Sequence, residues 1–321
     1  MQLPPSLRAA IDRELDGIAL ADLARASEAL SHRYRAEVQD GRLHLADDLA
    51  ARAYLTTRLP ATFAAISAAM GAVSEARPDF APKTVLDAGA GPGTATWAAV
   101  QHWGGLSDAM LVEASPAIRA VGERLDLPLD HVHWLPGRLD VALRDLTPRG
   151  LILLAYVLDE LPMPAREPLI QQLWALTADT LLIVEPGTPA GWKRILHARD
   201  LLIEAGAHIL APCPHGRPCP LAPPDWCHFS ARVARSRLHR QAKGGTVPWE
   251  DEKFIYVAAS RQQGLPAAAR VIAPPRASKA AVTLKLCQDD GYAADRLFAK
   301  RDRDSFKTAR RLDWGDIVRK Q

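Results

Sequence analysis

Apolar residues recur at every fourth position near the start of the chain, at Leu7, Ile11 and Leu15, and ATFAAISAAMGAVSEA is apolar almost all round. Both patterns predict packed helices, so residues 1–80 are expected to be helical, with Pro60 in AYLTTRLPATF starting or bending one of them. From residue 84 the texture changes. TVLDAG, AMLVEAS, LILLAYVL and TLLIVEP are short, continuous apolar runs separated by helix-compatible stretches. Strands buried on both faces have this look, and the alternation predicts a parallel sheet sandwiched by helices over 81–205. Residues 206–262 hold a proline-broken segment and one more strand, KFIYVAAS. ARVIAPPRASKAAVTLKLC, GYAADRLFAKRD and WGDIVRK then predict a small β-rich module over 263–321.

The strand TVLDAG runs into GAGPGTATWAAV, with Asp87, Gly89, Gly91 and Gly93 at alternate positions. A strand that turns sharply into a helix needs glycine where a ligand meets the backbone. Dinucleotide sites space these glycines as G-x-G-x-x-G; here the last comes one position early, beside Pro92. The stretch resembles the first motif of Rossmann-type S-adenosylmethionine methyltransferases. Glu113 ends the next strand, where an acid can bind both ribose hydroxyls. The expected cofactor site is therefore Asp87, Gly89, Gly91, Gly93 and Glu113. Asp159, Glu160 and Glu185 follow later strands and are read either as acids facing the methyl group or as capping and solvated acids. No N/D-P-P-Y/F motif occurs, and no cysteine precedes residue 213, so no catalytic residue is assigned.

Three of the four cysteines, Cys213, Cys219 and Cys227, fall in PCPHGRPCPLAPPDWCHF, and Cys287 lies far downstream. The gaps do not match zinc-ribbon knuckles. Four thiolates can enclose a 4Fe–4S cluster; a zinc ion, with His215 or His228 in reserve, or plain buried thiols are the other readings. The tight C-x₃-C-x₂-C of radical enzymes is absent.

Composition adds little until charge is localised. The chain has 321 residues, which favours about two domains, and a net charge of +3. Arg232, Arg235, Arg237, Arg240 and Lys243 follow the third cysteine with no acid among them, and Lys300, Arg301, Arg303, Lys307, Arg310 and Arg311 come later. Such clusters suit phosphate contacts. MQLPPSLRAAIDRELDG has neither an apolar signal region nor an acid-poor start, which predicts a soluble cytosolic protein without a membrane partner.

RLPAT, LDAGAGPGTA, VEPGTPAG, APCPHGRPCPL, DWCHFSARVARS, the run Glu250 to Phe254 and the terminal WGD together resemble one family over nearly the whole chain. It comprises the methyltransferase-like assembly factors of the small ribosomal subunit, which include mitochondrial methyltransferase-like protein seventeen and bacterial relatives. The resemblance implies a class I methyltransferase core that binds S-adenosylmethionine. It implies a 4Fe–4S cluster on Cys213, Cys219, Cys227 and Cys287, and action on small-subunit rRNA during assembly. A non-catalytic rRNA-binding factor and a zinc-stabilised small-molecule methyltransferase are the alternatives. The N-terminus suggests a bacterial member.

Overall fold

The computed structural model describes residues 1–35, 45 and 47–320. Four helices open the chain: α1 (Pro5–Leu15), α2 (Leu20–Arg35), α3 (Asp48–Thr57) and α4 (Leu59–Ala76). Strand and helix then alternate: β1 (Thr84–Ala88), α5 (Thr94–His102), β2 (Asp108–Glu113), α6 (Pro116–Arg124), β3 (His131–Pro136), α7 (Leu139–Ala142) and β4 (Arg149–Ala155). The alternation continues through α8 (Met163–Ala175), β5 (Thr177–Pro186), α9 (Pro189–Glu204) and β6 (His208–Ala211). After a long loop come β7 (Phe229–Ala234), α10 (Arg237–Lys243) and β8 (Trp249–Ser260). The last unit holds β9 (Ala267–Val271), β10 (Arg276–Ala277), β11 (Ala281–Gln288), β12 (Ala293–Ala299), α11 (Arg303–Ala309) and β13 (Ile317–Arg319).

The main sheet runs β3-β2-β1-β4-β5-β8-β6, with β7 pairing the first half of β8. β1 to β5 are mutually parallel, and β8 is antiparallel to both β5 and β6. This is a doubly wound α/β arrangement. Its order reverses between β1 and β4, so the crevice for a ligand opens at the carboxyl ends of those two strands. The continuous apolar runs of the central strands follow from burial on both faces: Leu151 to Leu154 and Leu181 to Val184 are each at most 1 % exposed.

Pro60 stands in the first turn of α4, where its missing amide costs no helical hydrogen bond. By length and composition α4 could cross a membrane, yet 72 % of it is buried within the protein. It packs on α5, β7 and β8, which explains a helix apolar on every side. The N-terminal helices, the sheet and the segment after β6 share one hydrophobic core. The last unit has its own small core, including Val271, Val282, Leu284, Leu286 and Phe306.

The VEPGTPAG segment is a packing turn. A Cβ at Gly187 would stand 2.7 Å from the Phe254 amide nitrogen, and one at Gly191 would stand 2.0 Å from the Pro186 carbonyl oxygen. Thr188 caps α9 by accepting the Gly191 amide at 3.0 Å.

Candidate functional site

A cavity of about 650 Å³ lies at the carboxyl ends of β1, β2 and β4, roofed by α3 and α4. Asp87, Gly89, Gly91 and Glu113 line it, while Gly93 starts α5 just behind. Gly89, Gly91 and Gly93 all have positive φ (72°, 56° and 81°), which other residues adopt only under strain. At Gly91 a Cβ would meet nothing within 4 Å, so backbone conformation rather than crowding requires glycine there.

The two acids have different surroundings. Asp87 is 1 % exposed, and its Oδ2 accepts both the amide (3.1 Å) and the hydroxyl (2.8 Å) of Thr96, tying β1 to the first turn of α5. Burial pushes its pKa up to about 7, against the pull of those hydrogen bonds. Glu113 accepts the Gly91 amide on Oε2 at 2.8 Å and the Ser115 amide on Oε1 at 2.7 Å. Burial raises its pKa too, opposed by the backbone donors around it. Each Glu113 oxygen keeps a lone pair for a further donor.

The opposite wall carries groups that strand-end reading did not find: Tyr54, Arg58 and Tyr156. Tyr156 directly follows β4 at φ 58°, a strained backbone for a tyrosine, and its hydroxyl donates to Glu252 at 3.4 Å. Arg58 lies 3.6 Å from the same Glu252. Arg58 falls within the quoted RLPAT, but nothing in that motif's spacing points to a pocket. Of the three later acids only Glu160 lines the cavity. Burial, aided by Asp159, Glu113 and Glu185, pushes its pKa up to about 8. Glu185 is fully buried, accepts the Leu158 amide at 3.0 Å and pairs with Arg194 at 2.7 Å, so it braces β5 against α9. Asp159 is buried outside the lining.

All four cysteines line a second, small cavity of about 30 Å³. Cys213, Cys219 and Cys227 come from the loop between β6 and β7, and Cys287 comes from β11. No carboxylate lines this cavity; His215 does, with Nε2 3.5 Å from Cys287 Sγ. Burial raises the pKa of every one of these thiols, and that of Cys287 reaches about 12. Among the described residues no three His, Cys, Asp or Glu side chains gather as a single metal ion requires. His228 stacks on Trp226 and meets Trp314 edge-on.

The basic run after the cysteines is not the unopposed patch its sequence suggests, because acids reach it from the neighbouring strand. Arg232 forms a two-bonded pair with Asp251 (2.7 and 2.8 Å), its partner in the β7–β8 register. Arg235, His239 and Lys243 gather on Glu250 at 2.9, 3.3 and 3.1 Å. Burial alone would raise Glu250, but His239, Lys243 and Arg235 outweigh it and hold the carboxyl well below its usual range. Only Arg237 and Arg240 of the five make no ion pair among the described residues. The second cluster is opposed only in part: Arg301 and Lys307 lie 3.9 and 3.7 Å from Asp302 and Asp304, while residues 263–321 hold 13 Lys and Arg against 7 Asp, a surplus of +6 in a chain whose total is +3.

The family described as mitochondrial small ribosomal subunit Rsm22 matches residues 48–319. The human protein named "Ribosome assembly protein METTL17, mitochondrial" is 31 % identical over 287 residues, covering 83 % of this chain and 61 % of that protein. A fission yeast protein, "Rsm22-cox11 tandem protein 2, mitochondrial", is 22 % identical over 322 residues, covering 83 % and 42 %. The chain thus spans about three fifths and two fifths of these relatives. Among solved structures, an O-methyltransferase family protein from Burkholderia thailandensis overlaps at TM-score 0.45 with 12 % identity, covering 76 % of this chain and 71 % of that one. The named relatives are mitochondrial proteins, which overturns the cytosolic location expected from the N-terminus.

Proposed function

The chain belongs to the Rsm22 family, and on that basis we propose that it binds S-adenosylmethionine beside Glu113 and serves as a methyltransferase-like assembly factor on small-subunit rRNA. The observation that carries the reading is the cavity at the reversal of strand order, with the glycine turn on one side and Glu113 on the other. In this reading the Glu113 carboxylate accepts the ribose hydroxyls, and the Gly89–Gly91 backbone admits the cofactor closely. Asp87 acts at one remove, by fixing the start of α5 through Thr96.

Cys213, Cys219, Cys227 and Cys287 suit a 4Fe–4S cluster by donor chemistry: one buried and three partly buried thiols, no carboxylate and one shared cavity. A zinc ion needs its sulfurs about 2.3 Å from one centre, whereas a cluster takes one thiolate per iron and spreads them. When bound, such a group supplies a cross-link between the core and the last unit. The rRNA surface in this reading is the last unit, with Arg237 and Arg240 adjoining it in function, because Arg232, Arg235 and Lys243 are already paired.

A second reading, in which the cofactor is a structural ligand and no methyl moves, is favoured by the cavity's lining. It contains no Cys, His or Lys among the described residues, and the Tyr156 hydroxyl is engaged by Glu252.

The test is calorimetric titration of the purified protein with S-adenosylmethionine, followed by incubation of the complex with small-subunit rRNA and labelled methyl donor. Binding with labelled RNA supports the first reading. Binding with no label supports the second, and no cofactor binding contradicts both.

A further inference from the structure

Arg199 on α9 is 1 % exposed and Arg270 on β9 is 2 % exposed. Their buried hydrogen bonds go to neutral carbonyl oxygens. Arg199 donates through Nη2 to His215 (2.9 Å) and Arg217 (2.6 Å). Arg270 donates through Nε to Pro212 (3.0 Å) and through Nη1 to Gly315 (2.8 Å). The carboxylates near them face water: Asp200, 3.0 Å from Arg199, is 61 % exposed, and Glu75, 4.0 Å from Arg270, is 47 % exposed. Arg199 also lines the cysteine cavity, and its Nε is buried without a partner. A guanidinium withdrawn from water needs a buried anion nearby, and two such cations flank one loop.

We propose that Arg199 and Arg270 are the charge partners of the metal–thiolate group held by Cys213, Cys219, Cys227 and Cys287, and that they hold its loop ready for the metal. This rests on the metal-site reading given above. Four thiolates carry four negative charges, and an oxidised 4Fe–4S core carries two positive ones. Two buried guanidiniums cancel the remainder. A tetrathiolate zinc leaves the same deficit, so the charge requirement survives a change of metal. For a cluster, accepting one electron adds a negative charge, which both arginines favour. They therefore raise its reduction potential.

The carbonyl bonds supply the second half of the role. Arg199 fixes the loop at residues 215 and 217 from the core, while Arg270 fixes it at residue 212 from the last unit. None of these bonds uses a thiol, so the loop is shaped before loading.

The experiment uses the full chain, purified without oxygen, beside Arg199→Gln, Arg270→Gln and Arg199→Lys. Iron, sulfide and zinc per chain, the rate of metal loss to a chelator and the midpoint potential are read. Wild type lacking iron and zinc contradicts the metal-site reading itself. With a loaded wild type, each Gln variant should lose metal about ten- to a hundredfold more readily. An iron-loaded Gln variant should also titrate at a more negative potential. Wild-type metal loss and potential in both Gln variants would overturn the proposal while leaving the metal site standing. If a Gln variant does not fold, Arg199→Lys decides. It should keep the potential near wild type but lose metal faster, since an ammonium replaces charge without the two-carbonyl grip. Wild-type retention in Arg199→Lys would overturn the loop-holding role.

Discussion

The carboxylate of Glu113, at the end of β2, accepts the amide of Gly91 in the turn after β1 at 2.8 Å. One side chain therefore shapes the glycine turn and presents its remaining lone pairs to whatever fills the cavity. Glu113→Ala removes both functions, so Glu113→Gln is the cleaner probe: it keeps an acceptor but loses the charge. S-adenosylmethionine affinity should fall by about 1.5–3 kcal/mol for Ala and less for Gln. Calorimetry on folded variants checks this; unchanged affinity in both would place the ribose elsewhere.

Asp87, which is buried, and Glu160, which is partly buried, make stability depend on pH with a definite sign. Folded Glu160 has its pKa pushed up to about 8 and Asp87 to about 7, whereas both ionise near ordinary carboxylate values when unfolded. From about pH 4.5 upward the unfolded chain has released protons that the folded chain keeps. Stability therefore falls as pH rises, by up to about 1.4 kcal/mol per pH unit for each group, until its folded pKa is passed. The wild-type melting temperature should drop between about pH 5.5 and 8, and Glu160→Gln should drop less. Equal drops in thermal melts would contradict the burial assigned to Glu160.

Charge that is paired within the protein should not serve RNA. Replacing Arg232 and Arg235 by Gln breaks the pairs with Asp251 and Glu250, and should lower stability while leaving the salt dependence of rRNA binding nearly unchanged. Replacing the exposed Lys300, Arg303, Arg310 and Arg311 should flatten the slope of log affinity against log salt by about 0.7–0.9 for each phosphate no longer engaged. Filter binding across a salt series reads both; the reverse ranking would move the RNA surface to β7 and α10.

What the sequence disclosed follows from how local each signal is. The glycine turn, Asp87 and Glu113 sit at strand ends marked by apolar runs, so a reading along the chain reached them. Tyr54 and Arg58 enter the same cavity from helices upstream of β1, and only packing of α4 across the sheet brings them there. The acid-free run from Arg232 to Lys243 misled for a similar reason. Its counter-charges stand on β8, and strand register, not sequence neighbourhood, sets that pairing. The clustered cysteines were conspicuous, but a buried arginine within a helix, such as Arg199, has no mark that separates it from a solvated one.

Cys287 of the last unit meets the cysteine loop at His215, 3.5 Å away, beside the Lys285–Asp225 ion pair and the Arg270 bond to Pro212. Cys287→Ser in the metal-loaded protein should lose metal and open a protease site near GLPAAAR, with cofactor affinity retained. Full metal content and native protease resistance would make Cys287 an ordinary strand residue.

Engagement of small-subunit rRNA is the property on which the proposed function depends. Crosslinking the full-length protein to RNA in living cells, then sequencing the bound fragments, measures it without assuming a methyl transfer. Fragments should concentrate on small-subunit rRNA, and Gln replacements at Lys300, Arg303, Arg310 and Arg311 should deplete them. Fragments drawn mainly from other RNAs, or no RNA above background, would contradict a role on the small subunit.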